Sequence, residues 1–321
     1  MERELALEFV RVTEAAAIAA GRLMGRGLKN EADKAAVDAM RAVLDTVHVC
    51  GRVVIGEGEM DEAPMLYIGE NVGCGDGPFV DIAVDPVEGT SLVAKGLPNS
   101  IAVLAVAERG GLLHAPDMYM DKIAVGAAGK GCIDIERPVK ENLLCLARAT
   151  GRRVEDLTVV ILDRPRHEQL VRQVRAAGAR IKLITDGDVA PAVATAIGDT
   201  GVDMLLGIGG APEGVLAAAA LRCLGGEMQG RLMPLDEAQA ERARSMGFTN
   251  IKMVLTLNDL VPSEDVIFAA TGITDGDLLK GVRYYGERAT SHSIVMRSRT
   301  GTVRLVEATH RLDRKTFVGR T

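Results

Sequence analysis

The chain contains no tryptophan, and only 3% of its 321 residues are aromatic. This scarcity argues against a nucleic-acid binder, because such proteins stack bases on aromatic side chains. The net charge of −6 also opposes non-specific binding to polyanions. A hydrophobic share of 47% together with 36 glycines predicts instead a core of small aliphatic side chains, typical of layered α/β enzymes. Local cations or a bound metal would have to attract an anionic substrate.

The sequence also lacks the cysteine spacing of metal-binding motifs and any long apolar run. No Cys-x-x-Cys motif occurs, so the sequence indicates neither a zinc site nor a disulfide framework. The charged N-terminus leads into an amphipathic pattern without a signal-type core, and no apolar run approaches the roughly 20 residues of a membrane span. We therefore expect a cytoplasmic protein that binds neither membrane nor nucleic acid. The five cysteines are Cys50, Cys74, Cys132, Cys145 and Cys223.

The histidines show no metal-ligand spacing, and all are expected to be structural or surface residues. Their scatter favours hard, oxygen-ligated ions such as Mg²⁺ or Mn²⁺ over zinc. They are His48, His114, His167, His292 and His310.

The most informative segment is an apolar strand-like run that ends in two carboxylates. Its sequence is Asp81-Ile82-Ala83-Val84-Asp85-Pro86-Val87-Glu88-Gly89-Thr90-Ser91. Asp85 and Glu88 lie three residues apart across a turn constrained by Pro86, so both can reach one hard cation. A helix beginning near Thr90 would add N–H groups that favour a phosphate. The alternative is a plain strand, turn and helix cap, and the segment alone does not decide between them.

A second acidic segment comes directly after the apolar run at 52–55. It places four carboxylates within nine residues: Gly56-Glu57-Gly58-Glu59-Met60-Asp61-Glu62-Ala63-Pro64. Carboxylates at the end of a buried strand must be paired, neutralised or bound to metal, because an unpaired buried charge is costly or shifts its pKa. This surplus favours a metal site over a plain turn.

Together the two segments resemble the class II fructose-1,6-bisphosphatases, within the lithium-sensitive, metal-dependent phosphatase superfamily. That superfamily more often shows Asp-Pro-(Ile/Leu)-Asp-Gly-Thr, and Glu88 at the second acid favours class II over the inositol monophosphatase branch. The resemblance implies a layered α/β (α+β) fold, an αβαβα sandwich of the sugar-phosphatase type. It covers nearly the whole chain, through Asn30-Glu31-Ala32-Asp33, Tyr119-Met120-Asp121-Lys122, Arg164-Pro165-Arg166, Asp186-Gly187-Asp188 and Gly209-Gly210-Ala211-Pro212-Glu213-Gly214.

The same resemblance implies two or three divalent ions, Mn²⁺ or Mg²⁺. Their ligands would be Asp33, Glu57, Asp85, Glu88 and Glu213. It implies catalytic roles for Thr90, which would orient the attacking water, and for Asp61 and Lys29. The implied substrate-binding residues are Glu88, Gly89, Thr90, Tyr119, Arg164, Pro165, Arg166, Asp186, Gly187, Asp188 and Gly210, with Tyr119 and both arginines on the distal phosphate.

Several of these residues have ordinary structural interpretations. Asp33 lies three residues after the expected helix N-cap Asn30, where an acid is stabilised by the helix dipole, and the residues alone favour that interpretation. Glu213 likewise stands at a predicted helix start. Lys29 could be a solvated loop cation, and Tyr119 a half-buried core residue.

The hydrophobic pattern predicts two halves, residues 1–155 with the metal and phosphate residues and residues 156–321 with the sugar and distal-phosphate residues. In the first half the spacing of apolar residues predicts helices over 3–24 and from Asn30 to about 48. They would pack on a mixed or antiparallel sheet whose strands are not separated by helices. Its strands are expected at 52–55, 79–84, 101–107 and 123–127. The second half alternates strands at 158–162, 181–184 and 204–208 with helices at 165–177, 188–197 and 212–224, which predicts a largely parallel sheet. Further strands are expected at 266–270, 293–297 and 302–306.

Polar or glycine residues come after each of the three alternating strands. Ligands of open α/β sheets bind outside the carboxyl ends of parallel strands, so these residues would line one rim. Arginines suit a phosphate and aspartates suit hydroxyls, which matches a phosphorylated polyol. The turn at Gly207–Gly210 is similar to a dinucleotide motif, but Pro212 replaces its third glycine, so we reject NAD.

The expected function is removal of the 1-phosphate of fructose 1,6-bisphosphate, giving fructose 6-phosphate in gluconeogenesis, by an enzyme that is a dimer or tetramer. Sedoheptulose-1,7-bisphosphatase and inositol-monophosphatase-like activities are the alternatives on the same metal core. A non-catalytic phosphosugar-binding module would be expected to lack a metal acid, and all five acids are present.

Overall fold

The computed structural model describes residues 1, 4–58 and 65–315. None of the helices in these ranges is both long and apolar enough to span a bilayer. The helices are α1 (Leu5–Gly21), α2 (Lys29–Leu44), α3 (Thr90–Lys95), α4 (Val139–Thr150), α5 (Glu168–Ala177), α6 (Val189–Ala194), α7 (Ala211–Leu224), α8 (Glu237–Ser245) and α9 (Leu257–Leu260). The strands are β1 (Cys50–Ile55), β2 (Asn71–Val72), β3 (Phe79–Glu88), β4 (Ile101–Glu108), β5 (Tyr119–Val125), β6 (Thr158–Leu162), β7 (Arg180–Ile184), β8 (Met204–Gly210), β9 (Glu227–Met233), β10 (Leu255–Thr256), β11 (Val266–Gly272), β12 (Arg283–Tyr285), β13 (Arg288–Arg297) and β14 (Thr302–Arg311).

These elements form two compact units, and the first is discontinuous in sequence. It consists of Met1–Leu112 and Ser263–Thr321, whereas the second is Leu113–Pro262. The expected boundary at residue 155 therefore falls inside the second unit. The reason is strand pairing: β11 returns to pair with β4 from Val266↔Ala107 to Gly272↔Ile101, so the end of the chain completes the first sheet.

The sheet of the first unit is mixed, as the sequence predicts, with the order β12-β13-β11-β4-β3-β1-β2 and β14 beside β13. Among its described pairs only β1 and β3 run parallel. Helix α1 packs on β11 and β13 and also contacts α2. Buried alanines on α1, Ala16 and Ala20 among them, permit this close packing, and Thr13 Oγ1 meets Thr271 Oγ1 of β11 at 2.8 Å.

Helix α2 begins and ends earlier than its periodicity predicts. Its N-cap is Leu28, so Asn30 lies in the first turn and the expected Asn30 cap is wrong. The preceding loop is fixed by bonds from Gly25 N to Val93 O (2.8 Å) and from Gly27 N to Ala94 O (2.9 Å), which commits the chain to helix at Lys29. Helix α3, which receives these bonds, begins at Thr90, where the acidic segment suggested a helix, although the hydrophobic pattern predicted no helix between these strands.

The second unit has the strand order β10-β9-β5-β8-β6-β7. The three alternating strands β6, β7 and β8 pair in parallel, as expected. The sheet as a whole is not largely parallel, because its other described pairs, β5–β8, β5–β9 and β9–β10, are antiparallel. Strand β5, which the pattern placed with the first half, lies between β8 and β9 and is antiparallel to both. A buried face of Leu143, Leu146, Val159, Ile161 and Val174 packs α4 and α5 on this sheet. The fold class, layered α/β with two mixed sheets, is confirmed.

Candidate active site

A β-bulge shapes the acidic end of β3. Side chains three apart on a regular strand point to opposite faces, so Asp85 and Glu88 should diverge. The register with β4 instead shifts between Asp85↔Val103 and Glu88↔Ile101, which inserts one extra residue on β3. Carboxylate oxygens of Asp85 and Glu88 consequently lie within 4.8 Å of each other. Both can therefore reach one cation, but through a bulge within β3 and not through the turn expected at Pro86, because the strand continues to Glu88.

Hydrogen bonds to the backbone fix the turn after Glu88. The Glu88 carbonyl accepts a hydrogen bond from buried Ser100 Oγ (2.9 Å), and Asp85 Oδ1 accepts one from Val87 N (3.0 Å). Gly89 then adopts a left-handed conformation (φ 83°) that an L side chain would strain, and α3 starts at Thr90. The chain thus turns sharply and presents the half-buried Thr90 directly beyond the two acids.

Glu57 and Asp33 form a carboxyl pair. Glu57 lies just beyond β1, which pairs in parallel with β3 up to Ile55↔Ala83, so it ends at the same sheet edge as Asp85. The two carboxyl groups are close enough for a hydrogen bond, which forms when one of them carries a proton. Burial and then the Asp33 charge raise the pKa of Glu57 to about 8, and burial also raises the pKa of Asp33, against the charge of Lys29.

We expect the affinity of metal-free protein for Mg²⁺ to increase as the pH rises towards 8. If Glu57 is a ligand, as the sequence predicts, the cation would have to displace the proton that this carboxyl group holds below that pH. Its pKa lies above the ordinary 4.5, so the metal-free fold binds more protons than the unfolded chain between these values and loses stability as the pH rises through them. Calorimetric titration in buffers of different ionisation enthalpy should show proton release in this window. Glu57→Gln should abolish this release, and a pH-independent affinity would contradict the role of Glu57 as a ligand with a raised pKa.

In the second unit a buried lysine lies between two carboxylates. Lys122 Nζ of β5 contacts Asp188 Oδ2 at 2.5 Å and donates to Gly210 O at 2.9 Å. Burial raises the pKa of Glu213, Asp188 adds to this effect, and Lys122 opposes it. Asp188 Oδ1 and Glu213 Oε2 are buried and have no hydrogen-bond partner in the described chain. The site thus has acceptor oxygens in excess of its donors.

Two glycines of β8 make room for these carboxylates. A Cβ on Gly209 would lie 2.1 Å from Asp188 Oδ2, and one on Gly210 would lie 1.8 Å from Glu213 Oε2. Any side chain at either position would displace the acids. Hard-ion oxygen donors with unsatisfied buried atoms fit a divalent cation well, as does the carboxyl pair of the first unit.

Arg166 is held in place by its surroundings. Its guanidinium lies 4.6 Å from the Tyr119 ring centroid and donates to Ile208 O from Nε (3.2 Å) and Nη2 (2.8 Å). The neighbouring His167 bridges two strands, since Nδ1 lies 2.7 Å from Leu162 O and Nε2 accepts from Ile208 N at 2.7 Å. Burial lowers the pKa of His167, which keeps the ring neutral for this role.

The remaining predicted residues lie on loops and helix starts. Arg164 Nη2 lies 3.9 Å from Asp186 Oδ1, beyond β6 and β7 respectively, and Gly187 takes a left-handed turn (φ 71°). Pro165 is exposed at the first position of a short helical turn, and Lys29 is exposed at the start of α2. Asp61 lies outside the described residues.

Sequence reasoning missed Lys122, Ser100 and His167 as residues that position the site. Lys122 carried a signal, because it alternates along the strand with the apolar Met120 and Ala124, and a lysine on an apolar face must find a buried counter-charge. The sequence gives no comparable signal for Ser100 and His167, whose partners are backbone groups of other elements.

Comparison with known proteins adds a separate line of evidence. The model of a family described as bacterial fructose-1,6-bisphosphatase, glpX-encoded, matches residues 3–310. The protein named fructose-1,6-bisphosphatase 1 class 2 of Escherichia coli K12 is 49% identical over 328 residues, which cover 98% of this chain and 97% of the relative. Proteins named fructose-1,6-bisphosphatase class 2 from Escherichia coli O6:H1 and Shigella flexneri match at the same identity and coverage.

Proposed function

Because this chain belongs to the bacterial, glpX-encoded fructose-1,6-bisphosphatase family, we propose that the residues described above divide one phosphate hydrolysis between them. The enzyme hydrolyses fructose 1,6-bisphosphate to fructose 6-phosphate and phosphate, a reaction of gluconeogenesis. The observation that carries the assignment of roles is the excess of carboxylates: burial raises the pKa values of the neighbouring Asp33 and Glu57, and Asp188 and Glu213 each have a buried oxygen without a hydrogen-bond partner.

Asp33, Glu57, Asp85, Glu88 and Glu213 are the proposed ligands of two or three divalent ions, with Mg²⁺ or Mn²⁺ as the proposed species. With ions bound, these acids would hold charge that could neutralise the phosphoryl oxygens and the leaving alkoxide and lower the pKa of a bound water. The acids suit these hard ions because they offer only oxygen donors. Lys29 and Asp61 keep the supporting catalytic roles that the family resemblance implies.

Thr90 is proposed to orient the attacking water through its hydroxyl. The backbone N–H groups of Gly89 and Thr90 would bind the scissile phosphate, for which the left-handed Gly89 exposes the turn. Since α3 has only six residues, this contribution comes from the N–H groups more than from a helix dipole.

Thr90→Ala should lower kcat and kcat/KM together, because the hydroxyl acts on the water and not on ground-state binding. Thr90→Ser should keep part of the rate. Ser91→Ala, which removes the adjacent hydroxyl of α3, is the matched control and should behave as the parent. If Thr90→Ala turned over at the parental rate, the hydroxyl would have no role in catalysis and would only stabilise the start of α3.

Arg164, Arg166 and Tyr119 are proposed to hold the distal phosphate, with Pro165 shaping the turn. Two of the five Arg166 N–H donors bond to Ile208 O, which leaves the others to a ligand and fixes their direction. Gly187 and Gly210 would let the sugar approach the backbone, and Asp186 and Asp188 would bind its hydroxyls.

Arg166→Ala should lower kcat/KM for fructose 1,6-bisphosphate about ten- to a hundredfold. A charge-assisted contact to phosphate contributes about 1.5–3 kcal/mol, which converts to that ratio. Hydrolysis of a monophosphate that lacks the distal group should change little. Arg172→Ala, which replaces an exposed arginine on the next helix, should leave both substrates unaffected. Equal losses on both substrates would place Arg166 on the scissile phosphate or in the fold.

A phosphate-release assay tests the substrate class directly. Fructose 1,6-bisphosphate should give the highest kcat/KM in a panel with sedoheptulose 1,7-bisphosphate, fructose 6-phosphate and inositol monophosphate, each with Mg²⁺ and with Mn²⁺. Equal rates on the monophosphates would contradict a distal-phosphate site.

We also propose a cytoplasmic homo-oligomer. All five cysteines are free, as a reducing compartment requires. Val303 and Leu305 on β14 are exposed by 44% and 64%, and strand β14 pairs with β13 alone in the described chain. An exposed apolar edge of this kind suits contact with a second copy.

A further inference from the structure

A histidine, a cysteine and an aspartate meet at the end of β1 and β3 opposite to the catalytic carboxylates. His48 precedes β1, whereas Cys74 and Asp76 lie on the loop before β3. Asp76 Oδ1 lies 2.9 Å from His48 Nδ1 and accepts a hydrogen bond from Cys74 Sγ at 2.7 Å. All three side chains are exposed, and their donor atoms lie within 4.8 Å of one another.

The backbone holds this cluster together. The loop reads Gly73-Cys74-Gly75-Asp76-Gly77, and its three glycines have φ values of 93°, 83° and 93°. A Cβ would lie 2.3 Å from Val49 O at Gly73 and 2.4 Å from His48 O at Gly77. Cys74 N and Gly75 N donate to Val47 O (2.9 Å) and Val49 O (3.3 Å). The glycines thus let the loop lie directly on residues 47–49, which places two donors beside His48.

The donor set is that of a borderline transition metal. A thiolate, an imidazole and a carboxylate bind Zn²⁺ in tetrahedral sites, whereas hard ions such as Mg²⁺ avoid sulfur. Bonds of about 2.0–2.3 Å keep tetrahedral ligands about 3.3–3.8 Å apart, so the present contacts need to open by about 1 Å or less. On binding, the Cys74 thiol loses its proton to solvent, and Nδ1 of His48 supplies its lone pair.

We propose that His48, Cys74 and Asp76 form a second metal site, for Zn²⁺, with solvent as the fourth ligand. Such an ion would tie the segment before β1 to the loop before β3. Phe79 and Asp85 are six residues apart on β3, about 20 Å, so this site is separate from the catalytic acids. The sequence spacing did not reveal it, because His48 and Cys74 are remote in the chain.

Co²⁺ added to the full chain is the probe, because a cobalt–thiolate bond gives a near-ultraviolet charge-transfer band that oxygen ligands cannot give. The titration is done with a non-thiol reductant, and the band should disappear when Zn²⁺ is added. Cys74→Ser should abolish the band, and His48→Asn should weaken Co²⁺ binding at least about tenfold, the lower end of the effect expected when a metal's ligand environment changes. Cys145→Ser is the matched control and should retain the band. Turnover with Mg²⁺ should be unchanged in all three variants.

Absence of the band at saturating Co²⁺, or a band that persists in Cys74→Ser, would overturn the proposal. Unaltered Co²⁺ affinity in His48→Asn would also overturn it, because it would show that His48 is not a ligand of the ion that Cys74 binds. Circular dichroism of each variant separates loss of the ligand from loss of the fold.

Discussion

Replacing Asp85 by asparagine is expected to lower kcat by about 10²–10³-fold. The change removes one negative charge from the pair that the bulge in β3 brings together, and metal-based charge stabilisation is worth several kcal/mol in the transition state. The fold should survive, because the amide oxygen can still accept the hydrogen bond from Val87 N. Initial rates at saturating Mg²⁺ and Mn²⁺, with circular dichroism on the same samples, measure both effects.

Asp81→Asn provides the matched control on the same strand. Asp81 is buried, lies near Arg109 and accepts a hydrogen bond from Gly110 N, so its loss should reduce stability and leave kcat near the parental value. Comparable turnover in Asp85→Asn and the parent, with metal saturating, would remove Asp85 from the metal site.

Replacing Lys122 by methionine is expected to lower the free energy of unfolding by about 3–5 kcal/mol. The variant leaves the buried Asp188 without its ion-pair partner, and breaking a buried pair on one side is costly because the remaining charge stays desolvated. Gly210 O also loses its donor, so the glycine turn that accommodates Glu213 should loosen. Urea denaturation monitored by circular dichroism measures the change, and the activity should fall with it.

Two further variants isolate the charge effect. Lys122→Met combined with Asp188→Asn should recover much of the lost stability, since Asp188→Asn removes the carboxylate with which Lys122 forms its ion pair. Lys130→Met removes an exposed lysine from the same unit and should change stability little. Equal losses in Lys122→Met and Lys130→Met would show that the buried pair contributes nothing specific.

The sequence predicted the acids at the strand ends because strong apolar runs precede them. Asp85 and Glu57 come after such runs, and the parallel pairing of β1 with β3 puts them at one edge. The pattern could not predict why Asp85 and Glu88 converge. Side chains three residues apart on a regular strand point to opposite faces of the sheet. Only the pairing register with β4 reveals the bulge that brings Asp85 and Glu88 to the same side.

The elements were predicted better than their arrangement. Strand β5 was recognised as a strand, but its hydrophobic pattern carries no information on which sheet it joins, since β8 and β9 are distant in sequence. The same limit explains the boundary expected at residue 155. Local periodicity determines where a strand lies in the chain, whereas pairing such as β4 with β11 depends on contacts between remote segments.

The discontinuity of the first unit also affects the order in which the chain can fold during synthesis. Strand β4 leaves the ribosome well before its neighbour β11, because the whole second unit is translated between them. Until then the apolar edge of β4 has no partner strand, a state that favours aggregation of nascent chains. The second unit is contiguous and can close its own sheet first, which brings the ends of the inserted segment together and lowers the entropy cost of pairing β11 with β4.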